Sequence, residues 1–141
     1  MKIAGKYKGY YEYGAGYELP YFGERVKIEV SIIGNKESFT GSVSEENNEL
    51  SVPFDATIKG ECEGDFIHFI KTYLVKPVIS ETDVNVMTIE EVQLDIIHNG
   101  VIDSKHNALY GEWTIVDKFI DDEGIGQEYY SSGIWYLTPI S

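Results

Sequence analysis

Apolar and polar residues alternate with a period of two along most of this 141-residue chain. The pattern is clearest in one segment, where every second residue is apolar: Val26, Ile28, Val30 and Ile32. Because successive side chains of a β-strand point to opposite faces, this period is typical of strands that bury one face. No ten-residue segment carries a convincing apolar stripe with the period of a helix. The alternation therefore predicts an all-β fold.

Eight segments have the pattern or composition of a β-strand. We place them at residues 3–13, 26–32, 38–43, 54–61, 65–75, 87–98, 107–117 and 132–138. Short, turn-forming segments join most of them, and Asn99-Gly100 is a candidate hairpin turn because both residues tolerate a positive φ. Strands joined by hairpins form a meander, and closing it removes both exposed edges. We predict an eight-stranded antiparallel up-and-down barrel in one domain, residues 1–141, with an open β-sandwich as the alternative.

Glycines inside the predicted strands support closure, since glycine permits the coiling and close approach that a tight barrel requires. They are Gly5, Gly9, Gly41, Gly60 and Gly111. Three longer connections interrupt the meander, at residues 14–24, 76–86 and 117–131. An eight-stranded barrel has an interior that side chains can just fill, or that can hold one small ligand.

The net charge of −13 excludes some classes of partner. Nucleic-acid binding depends on Lys and Arg that neutralise phosphates, so we expect neither nucleic acid nor an anionic membrane as a partner. No apolar stretch is long enough for a membrane helix, and the N-terminus has no apolar signal-peptide region. The single cysteine, Cys62, suits a reducing compartment. We expect a cytoplasmic protein.

Glycine–aromatic and alternating motifs follow one another along the chain. They are Gly5-x-Tyr7, Phe39-x-Gly41, Ala56-x-Ile58-x-Gly60, Ile67-x-Phe69-x-Lys71-x-Tyr73, Gly111-x-Trp113 and Gly133-x-Trp135. Their order resembles the small up-and-down barrels of the lipocalin and avidin type, together the calycin-like barrels. The resemblance implies a ligand enclosed at one barrel mouth. The first strand has Tyr7 where those families carry Trp, no C-terminal helix is predicted, and the residues that bind biotin in avidins have no counterpart here.

The tyrosines are concentrated at the start of the chain. Six of the eleven lie within the first 21 residues: Tyr7, Tyr10, Tyr11, Tyr13, Tyr17 and Tyr21. They could line a ligand cavity, with the Gly14-Ala15-Gly16 segment as a mobile lid. They could equally fill a small barrel, or form a surface for a partner protein.

The strand at residues 65–75 is apolar on both faces, so its inward face is ambiguous. One face carries Lys71 and Tyr73, and the other carries His68. A shift of one residue exchanges the faces. By analogy with the related barrels we favour Lys71 and Tyr73 inward. A buried Lys needs a partner or a changed pKa, and Glu112 or Glu90 is a candidate counter-ion.

No metal or catalytic motif is recognised. The histidines have no metal-ligand spacing, and the acidic segment Asp121-Asp122-Glu123-Gly124 does not fit a calcium-binding loop, so we interpret it as a solvated turn. We expect no metal and no cofactor.

We predict that the barrel interior binds a small apolar or amphipathic molecule through aromatic walls and a few polar anchors. The candidate ligand-binding residues are Tyr7, Tyr11, Lys71, Tyr73, His98 and Trp113. The alternatives are an interaction module that displays the Tyr-rich loop from a filled barrel, and an enzyme that uses an interior His, Lys and Glu cluster. With each of these functions, the protein could be a homo-oligomer.

Overall fold

The computed structural model describes residues 1–46, 55–74, 76–79, 87–90 and 93–140, with the backbone alone for 76–79 and 87–90. The fold within these ranges is all-β. The strands are β1 (Gly5–Tyr13), β2 (Arg25–Gly34), β3 (Phe39–Glu45), β4 (Ala56–Glu63), β5 (Phe66–Tyr73), β6 (Lys76–Ile79), β7 (Met87–Glu90), β8 (Leu94–Asp103), β9 (Ala108–Ile120) and β10 (Gly126–Pro139). No helix in this part of the chain is long and apolar enough to cross a membrane.

Eight of the strands form a closed antiparallel barrel, as predicted. Their order around the barrel is β1-β10-β9-β8-β5-β4-β3-β2, so each strand pairs with its neighbours in the meander. The barrel closes where β1 pairs with β10, in a register that places Tyr7 opposite Pro139 and Tyr13 opposite Gly133. Closure leaves no barrel strand with an unpaired edge.

The predicted strand at residues 87–98 is wrong, because two elements divide this segment. Met87–Glu90 pairs with Lys76–Ile79 in a separate two-stranded sheet. The barrel strand begins at Leu94 and continues to Asp103. The predicted connection at residues 76–86 therefore contains a strand at its start, and residues 80–86 lie outside the described part of the chain.

The predicted turn at Asn99-Gly100 is also wrong, since both residues lie inside β8. Gly100 is opposite Gly111 on β9, and a Cβ added to Gly100 would lie 2.7 Å from Cζ2 of Trp135. The glycine thus makes room for an indole ring in the barrel wall. The turn between β8 and β9 comes at residues 104–107, where Asn107 has a positive φ of 52°.

The predicted connection at residues 117–131 is mostly strand. The two strands β9 and β10 continue their pairing to Ile120 and Gly126, and a short acidic turn joins them. The Asp121 carboxylate stabilises this turn, because its Oδ1 accepts hydrogen bonds from the backbone N–H groups of Glu123 and Ile125, at 3.0 and 2.9 Å. The interpretation of the acidic segment as a turn is confirmed.

The two ends of the barrel differ in how their strands are joined. At one end, here called the short-turn end, the connections are residues 35–38, 64–65 and 104–107. The other end, the long-loop end, carries the β1–β2, β3–β4 and β5–β8 connections and the β9–β10 turn. Alternate side chains of all eight barrel strands face inward and form one buried cluster.

Candidate functional site

The inward face of β5 is the one that carries Lys71 and Tyr73. Both residues are buried, at 4% and 1% exposure, together with Ile67 and Phe69 of the same face. His68 is on the outer face, where its Nδ1 lies 2.6 Å from Oδ1 of Asn99. The favoured orientation of this strand is confirmed, and the barrel contains a buried lysine.

The partner of Lys71 is Glu45, which differs from both predicted counter-ions. The Lys71 Nζ lies 3.3 Å from Glu45 Oε2, and the two side chains are 5% and 1% exposed. Glu112 is exposed on the outside of β9, so it is wrong as a counter-ion. The side chain of Glu90 lies outside the described residues. Glu45 reaches the interior because it continues the inward face of β3, two residues beyond Val43.

Two tyrosine hydroxyls complete this polar group. Tyr11 donates a hydrogen bond to Glu45 Oε1 at 2.5 Å, and Tyr73 donates one to Glu45 Oε2. The Lys71 ammonium lies between the two rings, 4.7 Å from the Tyr11 centroid and 4.8 Å from the Tyr73 centroid. Both rings present their negative faces to the cation. We call Tyr11, Glu45, Lys71 and Tyr73 the buried tetrad.

Burial controls the protonation of the tetrad. Loss of solvent lowers the pKa of Lys71, and the Glu45 carboxylate opposes part of that change. Burial raises the pKa of Tyr11 well above its usual range, and both the neighbouring Tyr13 and the Glu45 carboxylate raise it further. The Tyr11 hydroxyl is therefore protonated at neutral pH and acts as a donor to Glu45.

His98 lies beside the tetrad as a neutral imidazole. Its ring stacks on Phe69 with centroids 4.5 Å apart, and its Nδ1 lies 3.1 Å from the Ile96 carbonyl oxygen. Because a carbonyl only accepts, this geometry assigns the proton to Nδ1. Burial, then the Lys71 ammonium, lowers the pKa of His98 to about 3. The histidine thus adds a polar ring without adding charge.

A small cavity adjoins Lys71 and His98. Its volume is about 20 Å³, enough for one or two water-sized groups and far below the roughly 300 Å³ or more of a typical drug-sized pocket. Apart from Lys71 and His98, its walls are apolar and aromatic: Tyr11, Ile28, Val30, Val43, Ile58, Phe69, Trp135 and Leu137. Among the described residues, this space is therefore small and lies next to the polar groups of the interior.

Three of the early tyrosines, Tyr13, Tyr17 and Tyr21, form an aromatic cluster with Trp113 at the long-loop end. Tyr13 packs edge to face on Trp113 and on Tyr17, with centroids 6.2 and 4.8 Å apart. Tyr21 packs on Tyr13 at 5.5 Å and is 2% exposed. These rings fill the end of the barrel, as one of the three interpretations of the tyrosines proposes. The Trp113 Nε1–H is buried and has no hydrogen-bonding partner among the described residues.

The β1–β2 connection is tied to β10. Gly14 donates its N–H to the Ser132 carbonyl at 2.8 Å, and Ser132 donates its own to the Ala15 carbonyl at 2.9 Å. Gly16 has a φ of +93°, and an added Cβ would lie 2.7 Å from the Tyr130 carbonyl oxygen. The segment predicted as a lid is thus held to the barrel by backbone hydrogen bonds.

The structure brings four of the six candidate residues together. Tyr11, Lys71 and His98 line the cavity, and Tyr73 is in the buried tetrad. Trp113 is next to them, with its ring centroid 6.3 Å from that of Tyr11.

Tyr7 is separate from this group, near the short-turn end. Its hydroxyl donates to the backbone carbonyls of Ile3 and Lys2, at 2.7 and 3.1 Å. These bonds hold the segment that precedes β1, so the position of Tyr7 indicates a structural role. Sequence reasoning missed Glu45 and Trp135, although both continue a period-two face that had been recognised.

Comparisons with known proteins give no further assignment. No family model matches the chain, and neither a curated protein nor a solved structure is similar to it. The closed barrel agrees with the calycin-like resemblance in general shape only. Within the described ranges, no group of three or more His, Cys, Asp or Glu side chains is placed to hold a metal ion.

Proposed function

We propose that the barrel interior binds a small, uncharged amphipathic molecule in the cavity beside Lys71 and His98. The observation that carries this proposal is the burial of an ion pair and two tyrosine hydroxyls at the edge of an otherwise apolar cavity. A buried ion pair is on average no more stabilising than apolar residues of the same size. Strongly perturbed groups in a cleft are candidates for a functional site. A role in ligand binding accounts for the presence of polar side chains at these four buried positions.

The charges around the cavity favour an uncharged ligand. The Lys71 ammonium is compensated by Glu45, and His98 is neutral because its pKa is lowered to about 3. The chain as a whole carries −13, which repels anions before they reach the barrel. A neutral molecule with one polar group can contact Lys71 or His98 and place its apolar part against the aliphatic wall.

The volume of the cavity limits the ligand to a few non-hydrogen atoms. A space of about 20 Å³ holds a ligand of more than a few non-hydrogen atoms only if the surrounding side chains move. The best small ligands gain about 1.5 kcal/mol per non-hydrogen atom. A four-atom ligand therefore binds no tighter than roughly tens of micromolar, and millimolar affinity is the ordinary expectation.

The proposal is tested with a panel of short alcohols, ketones and amides at millimolar concentration. Binding is followed by thermal unfolding and by the fluorescence of Trp135, which lines the cavity. A ligand at ten times its Kd stabilises the folded state by about 1.4 kcal/mol. Val43→Ile adds one methylene inside the cavity and is expected to weaken binding at least about fivefold.

Ser44→Thr is the matched control, because it adds a methyl group to the outer face of the same strand. It is expected to bind like the unmodified protein. If no molecule of the panel stabilises the barrel, or if Val43→Ile binds as well as the unmodified chain, the proposal is rejected.

The structure gives less support to display of a Tyr-rich loop. Tyr11, Tyr13 and Tyr21 are each less than 10% exposed and pack inside the barrel end. The large apolar side chains that the β1–β2 connection exposes are Leu19 and Phe22, at 74% and 54%. The enzyme alternative depends on the reactivity of the Lys71 amine beside Glu45 and His98.

A further inference from the structure

The Lys71 amine is the one strong nucleophile that lines the cavity. Its Nζ is buried between two tyrosine rings, and the same side chain forms part of the cavity wall. A lysine in an apolar pocket is a nucleophile for carbonyl compounds, because a larger fraction of it is uncharged than of a lysine in water. Burial lowers the pKa of Lys71, which agrees with this geometry.

We propose that Lys71 forms a reversible imine with a short-chain aldehyde in the cavity. This inference rests on the interior binding site proposed above and names the class of its ligand. An aldehyde of two or three carbons is uncharged and has one polar atom, as the charges around the cavity favour. Its carbonyl group fits the space of about 20 Å³, and its short alkyl part enters with a small movement of the apolar wall.

The neighbouring groups can carry the protons that imine formation requires. Glu45 Oε2, 3.3 Å from Nζ, takes a proton from the ammonium. The free amine attacks the carbonyl carbon, a C–N bond forms, and the nitrogen gives one proton to the carbonyl oxygen. Glu45 then returns its proton to the resulting hydroxyl group, which leaves as water while the nitrogen lone pair forms the C=N bond. An ammonium and an aldehyde have become a protonated imine and water, with no change of oxidation state.

The site suits both the starting ammonium and the product. Each carries a positive charge on nitrogen, which Glu45 and the faces of Tyr11 and Tyr73 stabilise. The hydroxyl of Tyr73 shares Oε2 with Lys71 and orients the carboxylate toward Nζ. His98 faces the same cavity as a neutral ring, so it adds no charge that would repel the product.

The test uses the full chain and acetaldehyde as the probe. Protein is equilibrated with less than one equivalent of acetaldehyde at neutral pH, reduced with borohydride, digested and mapped by mass spectrometry. Because burial lowers the pKa of Lys71, a larger fraction of this amine is uncharged than of a lysine in water. We expect Lys71 to carry severalfold more ethyl label than the exposed Lys59 on the adjacent strand β4, and expect this preference to disappear in urea.

Two interior variants and one surface control test which residues carry the chemistry. Lys71→Met is expected to lose the labelled site, whereas Lys59→Met keeps the label at Lys71. In a time course of labelling, Glu45→Gln is expected to slow imine formation at Lys71 about tenfold or more, because the proton that releases water comes from Glu45. If Lys71→Met or Glu45→Gln does not fold, the comparison of the labels on Lys71 and Lys59 in the unmodified chain still tests the inference.

Equal labelling of Lys71 and Lys59, or labelling of Lys59 alone, overturns the inference. Ethanol and acetamide, which have a similar size but form no imine, separate this failure from failure of the binding site. If they stabilise the barrel and Val43→Ile abolishes their effect, the interior site stands while the imine is rejected. If they have no effect and Lys71 remains unlabelled, both proposals fall.

Discussion

The Glu45 carboxylate and the Lys71 ammonium lie 3.3 Å apart inside the barrel, and neither side chain is more than 5% exposed. They come from strands β3 and β5, which are separated by β4, so the pair spans the curved interior of the sheet. An ion pair in this position costs desolvation energy that its mutual attraction offsets only with good geometry. Two tyrosine hydroxyls supply that geometry by fixing the carboxylate.

Glu45→Gln is expected to destabilise the barrel strongly. The substitution keeps the size of the side chain and removes the charge that compensates Lys71, and breaking one partner of a buried pair typically costs about 3–5 kcal/mol. Urea unfolding at pH 7 measures the change. Glu29→Gln, on the outer face of β2, is the control and is expected to have little effect. If Glu45→Gln lowers the free energy of unfolding as little as Glu29→Gln does, the ion pair contributes nothing to stability.

His98 is expected to make the fold sensitive to acid. Its pKa in the folded state is lowered to about 3, first by burial and then by the Lys71 ammonium. An unfolded His has a pKa of about 6.5, so between these values the unfolded chain binds a proton that the folded chain does not. Stability is therefore present above pH 6.5 and is lost as the pH falls toward 3, at about 1.4 kcal/mol per pH unit.

The measurement is the free energy of unfolding as a function of pH in His98→Phe and in the unmodified chain. The variant is expected to have a smaller slope between pH 6.5 and pH 4. His68→Gln, on the outer face of β5, serves as the comparison and keeps the slope. Parallel curves for His98→Phe and the unmodified chain would exclude His98 as the acid-sensitive group.

The two tryptophans are expected to respond differently to replacement by Phe. Trp135 donates its Nε1–H to the Glu112 carbonyl at 3.2 Å, whereas the buried Nε1–H of Trp113 has no partner within the part of the chain that the structure describes. Both substitutions remove a ring, but Trp113→Phe also removes an unsatisfied polar group worth about 1–3 kcal/mol. Trp135→Phe should therefore cost more by roughly that amount in chemical unfolding. The reverse order would show that the Trp113 indole has a hydrogen-bonding partner in solution.

Gly133→Ala is expected to disrupt the barrel wall. An added Cβ would lie 2.5 Å from the Trp113 ring and 1.8 Å from the Glu12 carbonyl oxygen, so both the core and the β1–β10 pairing must shift. We expect a loss of about 3 kcal/mol or more, at the upper end of overpacking effects. Gly126→Ala is the control, since nothing lies within 4 Å of its added Cβ. Thermal unfolding of the two variants makes the comparison, and equal midpoints would contradict it.

Much of the architecture follows from the period-two pattern. The alternation in β2 and in residues 67–73 locates strands because a buried face must repeat every second residue. The same rule, extended by two residues from Val43, brings Glu45 into the interior. Glu45 was missed because a carboxylate at the end of a strand is ordinarily solvated, and only the fold shows that Lys71 is opposite to it.

The errors arise where tertiary contacts decide the local structure. Asn99-Gly100 has the composition of a hairpin turn, yet Gly100 is in a strand because the indole of Trp135 occupies the space beside it. The β9–β10 hairpin was interpreted as a loop because its outer part, which includes Phe119 and Tyr129, is too exposed to show a one-sided pattern. The size of the cavity is likewise a property of packing, which alternation does not encode.

The pairing of β1 with β10 has a consequence for biosynthesis. A ribosome releases residues 5–13 long before residues 126–139 exist, so β1 has a partner on one side only until β10 has been made. Joining strands so distant in sequence is slow, because a long loop must close before any contact forms. During that interval the free edge of β1 is open to pairing with other nascent chains. The last pairing of the barrel thus determines how long an unpaired strand edge is exposed during synthesis.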